Sequence, residues 1–297
     1  MKILVTGSSG LIGTTLCDYL KKRGEHIDVL NRDVFSWSDH EKNIERLSDF
    51  DCIVHTAAST NVEACEQDPP NCYRDNTLLT ERLAYAASQA GCKFVYVSST
   101  GIYGTEKEYE PYTEYDMVNP TTHHHRAKWL GEKAVNQFVK NALIVRAGWI
   151  FGGIPNNPKN FVARRIEEAL NARTKPLRSN SQQRGVPTFV GDFVAKLYEL
   201  LKNNEVGTFN LVNQGFASRF DYVAKIIELS NLDVEVLPIS ADSFNRKAKV
   251  SNNETAITLK LVQLGYTPLP PWTESLGMYI QSDLSQWIRG KQLNEKN

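Results

Sequence analysis

Short apolar runs alternate with segments of helical periodicity through the first half of the 297-residue chain. Most of the runs are followed by a stretch in which apolar residues recur every three or four positions, as on one face of a helix. Strands are predicted at residues 1–5, 26–30, 51–55, 93–98 and 143–146, and helices at residues 14–23, 76–90 and 123–140. This alternation is typical of an α/β fold, in which helices cover both faces of a parallel sheet.

The first predicted strand runs directly into a glycine-rich turn. Gly7, Gly10 and Gly13 follow the apolar run at equal spacing, and a helical pattern begins at once. In a dinucleotide-binding unit, the first glycine allows a sharp turn, the second lets the backbone approach a pyrophosphate, and the third allows helix and strand to pack closely. The start of the helix then offers N–H groups to phosphate oxygens. The pattern predicts a Rossmann-type, doubly wound parallel sheet with cofactor contacts at Gly7, Ser9, Gly10, Leu11, Ile12 and Gly13.

The second half of the chain has a different pattern of apolar and polar residues. Residues 179–190 are polar and are predicted to form a loop, and the tail from about residue 219 combines short helical segments with one predicted strand at 234–237. We therefore expect a smaller C-terminal α/β part that binds substrate. The expected boundaries are residues 1–152 with 188–220 for the dinucleotide-binding domain, and residues 153–187 with 221–297 for the substrate-binding part.

Composition gives no sign of a nucleic-acid or membrane partner. The chain has 34 basic and 34 acidic residues, so its net charge is zero and no basic surface is expected. Five scattered cysteines without a CxxC pair indicate reduced thiols rather than disulfides or zinc. The N-terminus lacks the layout of a signal peptide, and no apolar run approaches ~20 residues. We expect a cytoplasmic protein that binds neither nucleic acid nor membrane, with a homodimer left open.

The residues after the second predicted strand bear on the choice of cofactor. An acidic residue at this point binds the adenosine ribose of NAD(H), whereas a basic residue accommodates the 2′-phosphate of NADP(H). Asn31 and Arg32 occupy the position, and Asp33 follows. Because an arginine can bind a phosphate through two hydrogen bonds, Arg32 at this position favours NADP(H). The alternative is that Arg32 is a solvated loop residue and that Asp33 binds the ribose of NAD(H).

Candidate chemistry follows the fourth predicted strand. Ser99 lies at its end, on the edge where open α/β sheets place their ligands. On the next predicted helix, His124 and Lys128 are one turn apart and share a face. The adjacent His123 and His125 point about 100° away from His124, so the three imidazoles cannot converge on one ion. No metal site is predicted.

Over nearly its full length the chain resembles the extended short-chain dehydrogenase/reductases, and within them most closely the dTDP-4-dehydrorhamnose reductase group. The motif at residues 6–13 is shared across the superfamily, whereas the later motifs together are fairly specific to the reductase group. These later motifs lie at residues 55–58, 76, 97–104, 119–120, 128–133, 146–152, 159–162, 183–188 and 207–211.

The resemblance implies an NADP(H)-dependent reductase of a nucleoside-diphosphate 4-keto-6-deoxy sugar. It implies that Ser99 holds the sugar carbonyl oxygen and that Lys128 binds the nicotinamide ribose and tunes the proton donor. The further cofactor contacts that it implies are Asn31, Ala57, Ala58 and Asn76. The implied substrate contacts are Ser99, Thr100, Trp149, Asn160, Gln183 and Thr188.

His124 stands where the family has the tyrosine of its Tyr-x-x-x-Lys motif. An imidazole titrates near ~6.5, and a neighbouring Lys⁺ disfavours its proton-donating form. Three interpretations stay open: His124 is a substitute acid, another group such as Tyr103 or a water relayed through Ser99 supplies the proton, or the chain has lost reduction and binds or regulates. An epimerase is the next enzyme class. Residues 249–253 replace the family's Arg-Pro segment, which leaves the sugar open.

Overall fold

The computed structural model describes residues 1–31, 35–172, 175–243 and 246–294. The strands are β1 (Lys2–Thr6), β2 (His26–Leu30), β3 (Cys52–His55), β4 (Lys93–Ser99), β5 (Leu143–Ala147), β6 (Trp149–Phe151), β7 (Leu177–Asn180), β8 (Arg184–Gly185), β9 (Pro187–Phe189), β10 (Gly207–Leu211), β11 (Ala217–Ser218) and β12 (Val236–Ile239). The helices are α1 (Leu11–Lys22), α2 (His40–Ser48), α3 (Val62–Gln67), α4 (Pro69–Tyr73), α5 (Leu79–Ala90), α6 (His123–Phe138), α7 (Phe161–Ala172), α8 (Val190–Lys202), α9 (Arg219–Leu229), α10 (Leu259–Gln263), α11 (Trp272–Tyr279) and α12 (Ser285–Asn294).

The central sheet has six strands in the order β10-β5-β4-β3-β1-β2, and every neighbouring pair is parallel. The chain leaves β1 for β2 on one side and then returns past β1 to β3 on the other. The strand order therefore reverses beside β1, which is the point where doubly wound sheets bind their ligands. The predicted Rossmann-type fold is confirmed.

Each face of the sheet carries its own apolar core. Ile3 and Val5 of β1 pack with α1 and α8 on one face, while Leu4 packs with α5 on the other. Successive side chains of a strand point to opposite faces, so a strand covered on both faces needs an unbroken apolar run. This requirement explains why the first strand is readable directly from the sequence.

Two predicted elements differ from the structure. The predicted helix at 76–90 begins with a π-helical turn at Arg74–Leu78 and becomes α-helical at α5. The prediction of a loop at 179–190 is wrong, because this segment holds the end of β7 and all of β8 and β9. These strands pair with β12, β11 and β6, which are separate segments of the chain, so local periodicity carries little signal for them.

The C-terminal part has a core of its own. Helices α7, α9, α11 and α12 surround a cluster that includes Phe151, Tyr222 and Leu276. The domain boundaries stay a prediction, and Leu261 and Leu269 of the tail join the core on the α1 face of the sheet. Within the described ranges, no helix has the length and apolar character needed to cross a membrane.

Candidate active site

A cavity of about 1240 Å³ opens at the carboxyl edge of the sheet. The turn between β1 and α1, the segment after β3, the end of β4 and the first turns of α6 form its walls. Ten of the predicted cofactor residues line it, namely Gly7, Ser9, Gly10, Leu11, Ile12, Gly13, Asn31, Ala57, Ala58 and Lys128. Gly7 and Lys128, 121 positions apart in the sequence, thus meet at the carboxyl edge of the sheet, where doubly wound folds bind their ligands.

The glycine turn has the geometry that a dinucleotide needs. Gly7 has a φ of 69°, and a Cβ on it would lie 2.7 Å from the backbone nitrogen of Ala57. Helix α1 begins after Gly10 without a side-chain cap, so its first N–H groups are available to phosphate oxygens. The residues present therefore fit the diphosphate of a dinucleotide cofactor.

An apolar wall lies beside this turn, and sequence reasoning missed it. Phe35 and Trp37 meet edge to face with ring centroids 5.2 Å apart, and both line the cavity near Asn31. Such a wall suits a flat, mostly apolar base. Its sequence signal was a pair of aromatic residues in an otherwise polar segment. Arg32 and Asp33, on which the choice of cofactor depends, lie outside the described residues.

Ser99 ends β4 and lines the cavity. Its Oγ accepts the N–H of Gly101 at 3.2 Å, which leaves the hydroxyl hydrogen free to donate. Thr100 was predicted to contact substrate, but its side chain is 1% exposed and does not line the cavity. The chain enters a short 3₁₀ turn at Thr100, and this turn buries the side chain.

The three consecutive histidines face three different neighbours. His123 forms a hydrogen bond with the hydroxyl of Tyr73, at the end of α4. The ring of His125 packs against Gly101, so closely that a Cβ on that glycine would lie 2.2 Å from His125 Nε2. His124 is the member of the three that lines the cavity, and its Nδ1 lies 2.9 Å from the carbonyl oxygen of Ser59. The divergence follows from the turn of about 100° per helical residue.

Burial sets the charge states of the two titratable groups in this wall. It lowers the pKa of His124 well below its usual value; the charges of His125 and Lys128 act in the same direction, and the carbonyl of Ser59 opposes them. Burial also lowers the pKa of Lys128 to about 7, against the opposing charge of Glu132. At neutral pH the wall therefore holds a neutral imidazole beside a lysine that can gain or lose its proton.

Asn76 was predicted to contact the cofactor, but it lies behind the surface of the cavity. It is fully buried and does not line the cavity. Its Oδ1 accepts the N–H of Ser59 at 2.7 Å, and its Nδ2 donates to the carbonyl oxygen of Ser59 at 3.0 Å. Asn76 thus positions the backbone that holds His124. Sequence reasoning missed Ser59 because a backbone carbonyl acts whatever the residue type.

Tyr103 is excluded as an alternative proton donor. Its ring is fully buried, and its hydroxyl donates to Asn210 at 2.7 Å while accepting from Arg146 at 2.8 Å. Burial raises the pKa of Tyr103 to about 12, and the residue does not line the cavity. The interpretation that Tyr103 supplies the proton is therefore wrong.

Two predicted substrate contacts are structural residues. Asn160 is fully buried, and its amide bonds the Tyr279 hydroxyl at 2.6 Å and the N–H of Ala163 at 3.1 Å. Thr188 is also fully buried, and its hydroxyl donates to the carbonyl of Val186 at 3.1 Å. Both side chains use their polar groups inside the protein, which corrects their prediction as ligand contacts.

Trp149 and Gln183 hold an arginine instead of lining the cavity. The guanidinium of Arg219 lies 3.4 Å from the centroid of the Trp149 ring, and its Nε is 3.5 Å from Gln183 Oε1. The indole N–H donates to Glu254 at 2.6 Å. A Cβ on Gly185 would be 2.2 Å from the same indole, and the Trp149 side chain is half-buried. Trp149 and Gln183 thus contact Arg219, and their direct contacts with substrate stay a prediction.

Two basic residues also line the cavity. Lys159 and Arg164 both face it, and Lys159 Nζ donates to the hydroxyl of Thr60 at 3.1 Å. Arg165, the neighbour of Arg164, pairs with Glu168 instead. Two cations at this wall can meet a second anionic group at a distance from the phosphates that the turn binds.

Comparison with known proteins identifies the family of the chain. Residues 1–285 match the family described as RmlD substrate binding domain. A dTDP-4-dehydrorhamnose reductase of Mycolicibacterium smegmatis is 27% identical over 277 residues, which are 93% of this chain and 84% of that protein. The crystal structure of a dTDP-4-dehydrorhamnose reductase from Clostridium acetobutylicum has a TM-score of 0.88 at 27% identity and covers 96% of this chain and 100% of that one.

A dTDP-4-dehydrorhamnose reductase from Bacillus anthracis, solved in complex with NADP, has a TM-score of 0.87 at 25% identity. It covers 94% of this chain and 98% of that one. Because the family match spans nearly the whole sequence, the chain belongs to the RmlD substrate binding domain family of the extended short-chain dehydrogenase/reductases, which are NAD(P)-dependent oxidoreductases.

Proposed function

We propose that the chain reduces a nucleoside-diphosphate 4-keto-6-deoxy sugar with NADP(H), in the synthesis of deoxysugars for cell-surface polysaccharides. One observation carries the proposal: Ser99, His124 and Lys128 line the same cavity as the glycine turn. The family match, the reductase relatives and the NADP complex of one similar structure support it. NAD(H) is the alternative cofactor for the same turn.

The chain's own residues bind the reactants and stabilise charge. A bound nicotinamide cofactor supplies the hydride. The Ser99 hydroxyl donates to the keto oxygen of the sugar and stabilises the negative charge that forms there. Lys128 holds the cofactor ribose, because its ammonium group has no acceptor within the described ranges and faces the cavity.

The basic wall accounts for the nucleoside diphosphate of the substrate. Lys159 and Arg164 line the cavity. Arginine binds phosphate oxygens in bidentate geometry, so this wall favours a diphosphate over a neutral sugar.

The cysteines support a reducing compartment. All five are free and buried. Disulfides persist in oxidising compartments and are rare in the cytoplasm, so we place the reaction in the cytoplasm. A homodimer stays a prediction from the sequence.

The proposal is tested by NADPH oxidation with a panel of dTDP- and GDP-linked 4-keto-6-deoxy sugars. The corresponding 4-hydroxy sugars are the controls, because they offer no carbonyl to reduce. Turnover of one keto sugar supports the reductase. Tight NADPH binding without turnover of any panel member, from mildly acidic to mildly alkaline pH, would exclude it and favour a non-catalytic nucleotide-binding role.

Replacing Ser99 should separate chemistry from cofactor binding. We expect Ser99→Ala to lower kcat by about 10²–10³-fold, the usual loss on removing one oxyanion donor, with the Kd for NADPH unchanged. The matched variant is Ser98→Ala, since the Ser98 hydroxyl has no hydrogen-bond partner in the described part of the chain. A larger loss of kcat in Ser98→Ala than in Ser99→Ala would show that Ser98, and not Ser99, donates to the keto oxygen.

The cofactor preference rests on Arg32. We expect Arg32→Ala to weaken NADPH binding by about tenfold or more, since a hydrogen bond to a charged group contributes about 1.5–3 kcal/mol. NADH lacks the 2′-phosphate, so its affinity should hardly change. Equilibrium titration of both cofactors measures the two effects, and an equal loss of affinity for NADH and NADPH would contradict a phosphate contact.

A further inference from the structure

The hydrogen bonds of His124 define which of its ring nitrogens carries the proton. Nδ1 lies 2.9 Å from the carbonyl oxygen of Ser59. A carbonyl oxygen can only accept, so Nδ1 must be the donor. In a neutral imidazole the other nitrogen, Nε2, then carries a lone pair. Nε2 has no partner in the described part of the chain, and the residue faces the cavity, so His124 presents an acceptor to a ligand.

Asn76 prevents the alternative tautomer. Its Nδ2 also lies 3.5 Å from His124 Nδ1, but both hydrogens of Nδ2 have closer acceptors in the Ser59 carbonyl, at 3.0 Å, and the Cys72 sulfur, at 3.4 Å. The Ser59 N–H at 2.7 Å from Oδ1 fixes which way the amide points. Asn76 therefore holds Ser59 through two hydrogen bonds, one from the Ser59 N–H and one to the carbonyl oxygen that accepts from His124.

Lys128 is the group in this wall that carries a mobile proton. Its Nζ has no hydrogen bond or ion pair with any described residue and lies 4.1 Å from the centroid of the Tyr96 ring. Glu132, one turn further along α6, is engaged by Arg146 through two hydrogen bonds of 3.0 and 2.8 Å. The carboxylate of Glu132 is thus already paired, and the ammonium group remains available to the cavity.

We propose that Lys128 supplies the proton that completes the reduction, and that His124 is a neutral acceptor that positions a water between its Nε2 and Lys128 Nζ. This inference rests on the proposed function. It assigns the acid role to Lys128 and makes His124 a positioning residue, in place of the predicted substitute acid.

The transfer balances in atoms and charge. Hydride addition to the keto carbon leaves an alkoxide that accepts a hydrogen bond from Ser99. The bridging water gives one hydrogen to the alkoxide oxygen and takes one from the Lys128 ammonium. The products are the alcohol, the same water molecule and a neutral Lys128 amine, which solvent in the cavity protonates again. His124 accepts the second hydrogen of the water throughout and ends unchanged.

The groups around Lys128 set the pH range of this step. His124 and Glu132 face it from its own helix, Tyr96 from β4, Cys72 from α4 and His55 from β3. Burial, opposed by Glu132 and Cys72, brings the pKa of Lys128 to about 7. Because the protonated form is the acid, the rate should be highest below this pKa and fall as the pH rises through it.

Two variants of His124 distinguish an acceptor from an acid. A glutamine can still accept a hydrogen bond from the water, whereas a phenylalanine cannot. We expect His124→Gln to retain most of the single-turnover rate and the same fall with rising pH, and His124→Phe to lose about 10²-fold, a typical contribution of positioned proton transfer. Equal, near-complete loss in both variants would overturn the acceptor role.

Lys128→Arg tests the proton itself. Arginine keeps the positive charge and can still hold ribose hydroxyls, but it does not release its proton near neutral pH. We expect the Kd for NADPH to change little, the single-turnover rate to fall by about 10²–10⁴-fold, and the fall above pH 7 to disappear. A Lys128→Arg enzyme that keeps the wild-type rate and pH profile would overturn the proposal.

NMR of the enzyme with ¹⁵N-labelled histidine and ¹³C-labelled lysine gives a readout that does not need turnover. We expect His124 to stay neutral and protonated at Nδ1 from mildly acidic to mildly alkaline pH, and the Lys128 signal to titrate near neutrality. An Nε2-protonated His124, or a Lys128 that titrates at its ordinary pKa, would overturn the proton route. Absence of turnover in the wild type with these NMR signals intact would instead remove the proposed function, and with it the transfer.

Discussion

Gly13→Ala should weaken NADPH binding strongly and destabilise the fold, whereas Gly10→Ala should fold normally and lose cofactor affinity alone. A Cβ on Gly13 would lie 2.1 Å from the carbonyl oxygen of Gly7 and 2.8 Å from Cα of Ser8. Both contacts are with backbone atoms of the turn, so no side-chain rotation can relieve them. A Cβ on Gly10 meets the same oxygen at 3.4 Å, which the turn can accommodate with a small adjustment.

The two variants separate two functions of one turn. For Gly13→Ala we expect a loss of about 1–3 kcal/mol in the free energy of unfolding, the usual cost of overpacking, as measured by urea denaturation. Its NADPH affinity should fall by about 100-fold or more, or about 2.8 kcal/mol at 1.4 kcal/mol per tenfold. Gly10 lines the cavity, so its methyl group would obstruct a diphosphate and leave stability nearly unchanged. Equal unfolding midpoints for the two variants would contradict this account.

The parts of the site that sequence reasoning located are those fixed by local geometry. The glycine turn is readable because close backbone approach at Gly13 excludes every other residue. Ser99 and His124 are readable because one ends a strand and the other is a helical turn from Lys128. Parallel strands place their carboxyl ends at the same edge, so these local signals also predict that the residues meet.

The parts that sequence reasoning misplaced depend on contacts between distant segments. Asn160 bonds Tyr279, 119 positions away, and this contact takes the amide that was expected to bind substrate. Trp149 is covered by Arg219 in the same way. A polar or aromatic residue in a conspicuous motif can serve a ligand or a neighbouring element equally well, and residue type alone does not decide between them.

A buried ion pair connects the fold to the charge of the active site. Arg146 of β5 binds Glu132 of α6 through two hydrogen bonds and also donates to the Tyr103 hydroxyl, with all three residues buried. Burial alone would lower the pKa of Arg146, but the hydrogen bonds and charge of Glu132 outweigh it and raise that pKa. The charge of Glu132 also acts on Lys128, one turn earlier on α6. It raises the pKa of Lys128, against the larger lowering that burial causes.

Arg146→Met should therefore destabilise the protein by about 3–5 kcal/mol, the usual cost of leaving one partner of a buried pair as an unpaired charge. Glu132 would become the counter-charge of Lys128, so the pKa of Lys128 should rise, and the fall in rate with rising pH should move to higher pH. Urea denaturation measures the first effect, and the pH profile of the single-turnover rate measures the second.

The double variant Glu132→Met/Arg146→Met decides whether the loss comes from the unpaired charge or from lost packing. Replacing both partners of a buried pair with apolar residues of similar size is often neutral, so we expect the double variant to recover most of the stability that Arg146→Met loses. Its Lys128 lacks the opposing charge of Glu132, so the fall in rate should move to lower pH than in the wild type. If the double variant were as unstable as Arg146→Met, packing around Tyr103 would be the main contribution of the arginine.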